Sequence, residues 1–170
     1  MSTSRTPPVD PVDRLVGQWA AERPDLDGLD AMALFGRLGR LHAIAGRAIE
    51  VVFEAHDLAT GEFDVLAALR REGEPFVLTP SALARSLMLS PAGMTNRVDR
   101  LVARGLVDRR ADPDDRRSLL VALTPAGREV VDAAVTDHVA NEVRLLGVLS
   151  ARERADLDRI LRKLLHQFDP

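Results

Sequence analysis

The sequence of 170 residues contains no cysteine, and only 4% of its residues are aromatic. The absence of cysteine excludes disulfides, thiolate metal sites and thiol redox sensing. No apolar run approaches the ~20 residues that a membrane-spanning helix needs. The N-terminus reads MSTSRTPPVDP and lacks the continuous apolar segment of a secretory signal. We therefore expect a cytoplasmic protein that has no contact with a membrane.

Signatures of catalysis and of cofactor binding are also lacking. The sequence shows no nucleophile–base pair, no glycine-rich phosphate loop and no cluster of metal ligands. His42, His56, His138 and His166 have no metal-ligand spacing. Two of them, His42 and His138, fall in predicted helices and are expected at an interface or on the surface. The sequence thus predicts neither an enzyme nor a bound cofactor or metal.

The net charge of −3 argues, by itself, against a protein that binds nucleic acid. The distribution of charge argues the opposite. Residues 85–110 contain six arginines and only two aspartates, a local net charge of +4. A basic segment within an acidic chain is the pattern expected of a surface that contacts nucleic acid.

The N-terminal third of the chain is predicted to contain two helices. Residues 1–9 are polar and contain prolines, which predicts a disordered N-terminus. Asp10 and Pro11 are typical of a helix start, and the apolar stripe that follows predicts an added helix within residues 10–29, docked on the main body. Residues 30–59 are predicted to form a scaffold helix with an apolar seam made of Leu34, Leu38, Leu41, Ala45, Ala48 and Val52.

Residues 60–124 predict a winged helix-turn-helix. Thr60 is expected to cap one helix, and Thr79-Pro80 and Ser90-Pro91 each start a short helix. Residues 88–90 join the two short helices, which is typical of a helix-turn-helix. Two β-compatible segments, 106–110 and 118–123, then flank the polar turn 111–117. The methionines of this region, Met88 and Met94, are expected in the core.

Residues 125–170 are predicted to form two C-terminal dimerisation helices, and Thr124-Pro125 starts the first of them. The first carries a stripe of Val131, Val135, Val139, Leu146 and Leu149, and the second an inward face of Leu157, Ile160, Leu161, Leu164, Leu165 and Phe168. The apolar seams exceed what a small winged core can cover, so we expect a two-fold homodimer whose terminal helices bury one another. The predicted fold class is mainly α, with a small β-hairpin wing and a helical dimerisation region.

The helix over residues 91–104 is predicted to read DNA. On a helical wheel the apolar side chains Met94, Val98, Leu101 and Val102 share one arc, and Asn96, Asp99, Arg100 and Ala103 share the opposite arc. Asparagine and arginine are the side chains that pair bidentately with adenine and guanine in a major groove. Ser90 and Thr95 can hydrogen-bond phosphates. The alternative is a solvated face on a structural helix.

The polar turn of the wing is the second candidate DNA contact. It carries Arg116 and Arg117 beside Asp114 and Asp115. Paired arginines at a hairpin tip suit a narrow minor groove, and a neighbouring carboxylate such as Asp115 can orient a guanidinium. The alternative is an exposed loop of mixed charge.

These features resemble the MarR family of bacterial transcriptional regulators over nearly everything after residue 30. The resemblance rests on the helix-turn-helix, its flanking helices and the stretch GLVDRRADPDDRRSLLVALTPAGR (105–128). The wing signature of that family is matched by Asp115, Arg117 and residues 123–127. The resemblance implies a homodimer that binds a pseudo-palindromic DNA operator, usually as a repressor, with its recognition helices in successive major grooves.

A narrower resemblance concerns ligand binding. The stretches WAAERPDLDGLDAMALFGRLGRL, FDVLAALRR and GMTNRVDRL are similar to the urate-responsive HucR/PecS-like subgroup, which has an added N-terminal helix. The resemblance implies a ligand site formed by Trp19, Asp64, Arg97 and Arg109. Urate is a planar monoanion near neutral pH, and guanidinium groups and an indole N–H suit such a ligand.

Other interpretations of these residues remain open at this point. Trp19 can serve only as the anchor of its helix, Asp64 can act only on the helix macrodipole, and Arg97 and Arg109 can contact phosphate. The effector can instead be a phenolic or other aromatic anion. A further alternative is a protein-interaction module that has lost DNA binding. The position of Arg97 favours a role in the ligand site, because this residue lies on the border between the core and groove faces of the helix.

Overall fold

The computed structural model describes residues 9–88, 90–112 and 119–168. The chain forms two compact units, residues 1–48 and residues 49–170. Residues 1–8, which belong to the segment predicted to be disordered, lie outside the described residues. The same is true of four residues of the wing turn, Asp114, Asp115, Arg116 and Arg117. The elements, in chain order, are helices α1 (Pro11–Glu22), α2 (Leu29–Glu54) and α3 (Thr60–Glu72), strand β1 (Val77–Leu78), helices α4 (Pro80–Ser86) and α5 (Pro91–Ala103), strands β2 (Val107–Ala111) and β3 (Leu119–Leu123), and helices α6 (Pro125–Leu145) and α7 (Ala151–Phe168), with a short 3₁₀ helix, Leu146–Val148, between the last two.

In the first unit, α1 begins with the predicted cap at Asp10. The Asp10 carboxylate accepts hydrogen bonds from the backbone N–H groups of Val12 and Asp13, and the Asp13 carboxylate accepts one from the Asp10 N–H. Arg37 of α2 pairs with both aspartates, and its Nε lies 2.7 Å from Asp10 Oδ2. Val12 is buried, and it can pack closely because Gly36 has no side chain there. The start of α1 is thus fixed on α2.

Three helices of the second unit begin at the predicted caps. The hydroxyl of Thr79 accepts from the Ala82 N–H, that of Ser90 from the Gly93 N–H, and that of Thr124 from the Gly127 N–H. These bonds satisfy backbone donors that a helix leaves unpaired at its first turn. The prediction that Thr60 caps α3 was wrong.

The cap of α3 is Ala59, and its backbone N–H donates to the Glu62 carboxylate at 3.1 Å. Thr60 is the first residue of the helix itself. Glu62 stands at the third helical position, from which a glutamate can reach back to the capping residue. The side chain that caps this helix therefore comes from inside it.

The wing is a three-stranded antiparallel sheet with the strand order β1-β3-β2. β2 and β3 form the predicted hairpin, with Val107 opposite Leu123 and Ala111 opposite Leu119. Strand β1, which the sequence did not predict, pairs with β3 at Ala122 and Val121. The described part of the fold is therefore mainly helical with a small sheet, as predicted.

Gly127 fixes how closely α6 approaches the start of the wing. A Cβ atom at this position would overlap the Leu106 carbonyl. Thr124 sits beside the same turn, where its hydroxyl donates to the Gly105 carbonyl at 2.8 Å. The Leu-Thr-Pro-Ala-Gly stretch thus combines a helix cap, a tie to the end of α5 and a position that tolerates no side chain.

The core of the second unit surrounds α3. Its fully buried side chains include Val65, Leu66 and Leu69, and Met94, Val98 and Leu101 of α5 pack in the same cluster. The prediction for Met94 is confirmed, but that for Met88 was wrong. Met88 is 91% exposed, and its backbone adopts a φ of 51° in the turn between α4 and α5.

Within one chain, the last two helices bury few of their apolar side chains. The buried positions of α6 are Gly127, Val131, Ala134 and Asn141, whereas Val135 and Val139 are exposed. The inward stripe of α6 therefore differs from the predicted one, which followed the valines. None of the described residues of α7 is buried. Among the described residues, no helix has the length and apolar character needed to cross a membrane.

Candidate DNA-reading helix and ligand site

Helix α5 presents a clear division between a buried face and an exposed face. Met94, Val98 and Leu101 are at most 2% exposed, which holds the helix against the core. Thr95, Asn96 and Arg100 are exposed. A capped helix with exposed amide and guanidinium groups has the shape and the donors needed to read a major groove.

A buried carboxylate lies behind the exposed face of α5. Arg104 Nη1 donates to Glu62 Oε2 at 3.2 Å, and Arg100 Nε lies 3.5 Å from Glu62 Oε1. The Glu62 side chain is 8% exposed, whereas the Arg100 side chain is 57% exposed. The Glu62 carboxylate therefore contacts the two guanidinium groups from the interior of the protein, on the side away from solvent.

Arg97 lies on the first turn of α3. Its Nη1 is 3.5 Å from the Gly61 carbonyl oxygen and 3.9 Å from Asp64 Oδ2. A Cβ atom at Gly61 would overlap the guanidinium group, so the absence of a side chain at Gly61 creates this seat. The Arg97–Asp64 distance is longer than that of a charge-assisted hydrogen bond. The pair is therefore loose, and both side chains retain access to solvent.

The electrostatic environment of Asp64 is set by burial and by three basic groups. Burial raises the pKa of the Asp64 carboxyl, and Arg97, Arg71 and His138 oppose that rise. The charged carboxylate is thus less well solvated here than in water. The Asp64 carboxylate can therefore attract the Arg97 guanidinium, but it does not occupy all of the hydrogen-bond donors of that group.

Arg109 of β2 pairs with a different carboxylate. Its Nη2 lies 2.6 Å from Asp99 Oδ1, and both side chains are partly exposed. The helical wheel placed Asp99 among the groove-facing residues, but in the structure Asp99 connects α5 to the wing. Arg97 and Arg109 therefore have separate acidic partners.

The remaining predicted site residues lie on more exposed surfaces. Trp19, in the first unit, is 46% exposed and borders a shallow cavity of about 270 Å³ together with Leu15, Gln18 and Glu22. The Ser90 hydroxyl accepts the Gly93 N–H and keeps its own proton for a further acceptor. Asp115, Arg116 and Arg117 lie outside the described residues.

His138 occupies an environment that the sequence did not predict. Its ring packs on Phe53 and Phe63, with ring centroids 5.0 and 5.5 Å away, and its Nε2 lies 3.3 Å from Glu142. The expectation of a surface position was wrong for this residue, since its side chain is only 17% exposed, and the expectation of an interface position stays a prediction. Among the described residues, no group of three or more histidine and acidic side chains could hold a metal ion.

Three residues of this region were missed by sequence reasoning. They are Gly61, Glu62 and His138. Glu62 gave a signal, because a glutamate at the third helical position is typical of a capping box. The sequence offered no comparable sign of the seat at Gly61, which depends on a side chain 36 residues away.

Comparisons with known proteins agree with this architecture. The model of the MarR family matches residues 56–118. The transcriptional regulator PecS of Dickeya dadantii is 38% identical over 150 residues, which cover 88% of this chain and 90% of PecS.

Solved structures give the same result. The MarR family regulator Sco5413 of Streptomyces coelicolor superimposes with a TM-score of 0.69 at 32% identity, covering 81% of this chain and 94% of Sco5413. A mutant of Escherichia coli MarR in complex with operator DNA gives a TM-score of 0.69 at 28% identity, covering 82% of this chain and 99% of that one. The sequence match to PecS extends through both units of the chain. The chain therefore belongs to the MarR family of DNA-binding transcriptional regulators.

Proposed function

We propose that this protein is a homodimeric repressor that binds a pseudo-palindromic operator and is released by a small planar anion, most favourably urate or a related purine. One observation carries the proposal. Arg97, on the same helix as the exposed Asn96 and Arg100, rests loosely on α3 beside Asp64. A single helix thus combines groups that can read DNA with a cation that can receive an anion.

The DNA-binding half of the proposal assigns distinct roles to the exposed residues. Asn96 and Arg100 read base edges in the major groove, and Ser90 and Thr95 contact phosphates. Arg116 and Arg117, oriented by Asp115, enter the adjacent minor groove. The basic character of residues 85–110 supports this assignment, since phosphate contacts supply much of the affinity of such complexes.

The release half of the proposal depends on a change of partner for Arg97. An anion seated on Arg97 and Arg109 would compete with Asp64 and Asp99 for the two guanidinium groups. Because Asp99 and Arg97 both belong to α5, the exchange would shift the reading helix. The ligand needs only a higher affinity for the shifted arrangement than for the DNA-binding one. Trp19 would supply an aromatic surface and an indole N–H.

The homodimer is supported by exposed apolar side chains at both ends of the chain. Ile160, Leu161, Leu164, Leu165 and Phe168 of α7 are all at least 38% exposed, and α2 exposes Leu34, Phe35 and Leu41 by 60% or more. A surface of this kind is typical of an interface between subunits. Sedimentation as a monomer at micromolar concentration would contradict this part of the proposal.

The proposal is tested by titrating an operator complex with urate, xanthine and salicylate. The operator duplex is first selected by the protein from a randomised pool, so that no target sequence has to be assumed. We expect urate to release the wild-type protein, and the Trp19→Phe and Arg97→Gln variants to require higher concentrations. No release at millimolar urate would exclude urate as the effector.

A phenolic or other aromatic anion is the second candidate effector. Two guanidinium groups recognise the charge of any planar anion, so the preference for a purine rests on the resemblance to the urate-responsive subgroup and not on the two arginines. Release by salicylate, without release by urate, would identify this alternative. Release by neither ligand, together with intact operator binding, would remove Arg97 and Arg109 from a site for planar anions.

A further inference from the structure

Glu62 is one of two buried polar or charged residues among those that the structure describes, and it faces the reading helix. Its Oε2 accepts the Ala59 N–H at 3.1 Å and an Arg104 N–H at 3.2 Å, and its Oε1 lies 3.5 Å from Arg100 Nε. A buried carboxylate requires such partners, because an unpaired one is costly to remove from water. The geometry therefore ties the start of α3 to the last turn of α5 and to the residue that follows it.

Arg100 lies in the last turn of α5 and Arg104 directly follows the helix with a helical backbone, so the two arginines that share this carboxylate are neighbours. A single negative charge cannot neutralise two positive ones, and both guanidinium groups remain partly exposed, by 57% for the Arg100 side chain and 35% for that of Arg104. Each guanidinium carries five N–H donors in a rigid fork. The donors that do not face Glu62 are thus left for DNA.

We propose that Glu62 is a specificity-determining positioning residue: its carboxylate holds Arg100 and Arg104 in a fixed orientation, so that they contact base edges and do not move freely among phosphates. The inference rests on the proposed role of α5 as the DNA-reading helix. It adds that specificity depends on a residue that does not touch DNA.

The physical reason is a competition between two kinds of contact. A freely rotating arginine gains affinity for any phosphate within reach, which raises nonspecific binding. An arginine held by a carboxylate has less freedom to lose when it pairs with a base, and its charge is partly satisfied already. Removal of the carboxylate should therefore strengthen binding to unrelated DNA more than binding to the operator.

The test compares Glu62→Gln with Glu72→Gln. Both variants remove one negative charge from α3, but Glu72 is exposed at the opposite end of the helix. Glutamine at position 62 can still accept the Ala59 N–H, so the cap of α3 is retained. Dissociation constants are measured over a series of KCl concentrations for a selected operator duplex and for a scrambled duplex of equal composition.

For Glu62→Gln we expect the ratio of scrambled to operator dissociation constants to fall about tenfold, which is within the range for the loss of one well-oriented base contact. The dependence of scrambled-duplex affinity on salt should steepen by about one to two counterions, because each additional phosphate contact adds about 0.9 to the slope. Glu72→Gln should change neither quantity. Equal behaviour of the two variants would overturn the proposal.

A combined variant separates positioning from a general effect on the fold. In a background that carries both Arg100→Ala and Arg104→Ala, most of the specificity loss caused by Glu62→Gln should disappear, because neither oriented guanidinium is present. An undiminished loss would show that Glu62 acts through the structure alone. If Glu62→Gln melts below the assay temperature, Glu62→Asp retains the charge and should give a smaller loss in the same direction.

The same measurements distinguish the two levels of the argument. If Arg100→Ala leaves operator affinity unchanged, the proposed reading role of this part of α5 fails, and the positioning role fails with it. If Arg100→Ala weakens operator binding but Glu62→Gln matches its control, only the positioning role of Glu62 is wrong.

Discussion

Helices α5 and α7 carry apolar residues at the same helical spacing, yet the two sets of side chains lie in opposite environments. In α5, Met94, Val98 and Leu101 are at most 2% exposed. In α7, Ile160, Leu161 and Leu164 are 38–47% exposed, and none of the described residues of that helix is buried. The spacing of apolar residues thus identifies the face that avoids water, but it does not reveal whether the same chain covers that face.

This difference separates two kinds of stability. The apolar face of α5 is covered within its own chain by α3 and the wing, so it contributes to the stability of each subunit. The apolar face of α7 can contribute only when something else covers it, and that contribution depends on protein concentration if the cover is a second subunit. Substitutions in the two helices should therefore have different signatures.

The largest effect is expected for Leu101→Ala, which removes a fully buried side chain of α5. Such a cavity should lower the free energy of unfolding by about 2–5 kcal/mol, because packing is lost along with apolar burial. Urea denaturation at two protein concentrations measures this loss. We expect the loss to be similar at both concentrations, and a loss that disappears at high concentration would contradict the assignment of Leu101 to the core of one subunit.

The next effect is expected for Leu164→Asp in α7, where the wild-type side chain is 41% exposed. A carboxylate within an apolar interface should weaken association by an order of magnitude or more, since a buried charge without a partner is costly. Sedimentation velocity measures the fraction of dimer. Arg159→Asp, at an exposed position of the same helix, is the control. Unchanged association of Leu164→Asp would remove this face of α7 from the proposed dimer interface.

A smaller effect is expected for Gly61→Ala, which places a methyl group where the Arg97 guanidinium lies. Because a guanidinium is the end of a flexible side chain, we expect a change of less than about 1 kcal/mol in the free energy of unfolding, partly offset by the higher helix propensity of alanine. The concentration of effector that releases DNA should change severalfold. The matched control is Gly46→Ala, since in the described chain nothing outside its own helix backbone and its two chain neighbours lies within 4 Å of a Cβ at Gly46.

The smallest effect concerns the pH dependence of Asp64. Burial raises the pKa of its carboxyl, so the folded protein holds this proton more tightly than the unfolded chain does. Protonation of Asp64 therefore stabilises the folded protein. This stabilisation is fully present below the pKa that Asp64 has in the unfolded chain, and it is lost as the pH rises through the pKa that Asp64 has in the folded protein. Asp64→Asn should therefore be at least as stable as the wild type at neutral pH, and this advantage should vanish in acid.

Asp10 should show the opposite dependence of the unfolding free energy on pH. Urea denaturation at a series of pH values measures this dependence for both variants. The Arg37 guanidinium holds the pKa of the Asp10 carboxyl below its usual value. Its contribution to stability is present above the unfolded pKa and is lost as pH falls through the folded pKa. Asp10→Asn should accordingly be less stable than the wild type at neutral pH. Equal pH profiles for the two asparagine variants would contradict at least one of the two assignments.

The parts of the fold that were predictable from the sequence are those fixed by neighbouring residues. Three helices begin with a capping hydroxyl residue followed directly by proline, at Thr79, Ser90 and Thr124. The capping residue and the proline are adjacent in the sequence. The hairpin of β2 and β3 was predicted because its two strands flank a polar turn. Local chemistry of this kind needs no knowledge of distant contacts.

The features that were missed depend on residues far apart in the sequence. Strand β1 has only two residues, Val77 and Leu78, and it exists because β3 offers it an edge some 40 positions later. His138 is enclosed because Phe53 and Phe63 meet it from other helices. Met88 was placed in the core on its hydrophobicity, but the backbone of its turn leaves it in solvent.

The candidate site shows the same limit. Arg97 was singled out from its position on the helical wheel, and the structure seats it on Gly61, which the wheel of α5 does not include. The wheel counted Arg100 as a free groove-facing residue, although it shares the Glu62 carboxylate with Arg104. Periodicity thus placed Arg97 and Arg100 on their faces of α5, and the packing of α3 determines which groups hold them.

Trp19 has a consequence that is independent of its proposed role. It is the only tryptophan of a chain that has no tyrosine, and it lies half-exposed on α1. All tryptophan emission of the protein therefore originates from this one helix, without transfer from other strongly absorbing side chains. Trp19 is therefore an intrinsic fluorescent reporter of α1. Any event that changes the solvent exposure of its indole ring can be followed by tryptophan emission in the unlabelled protein.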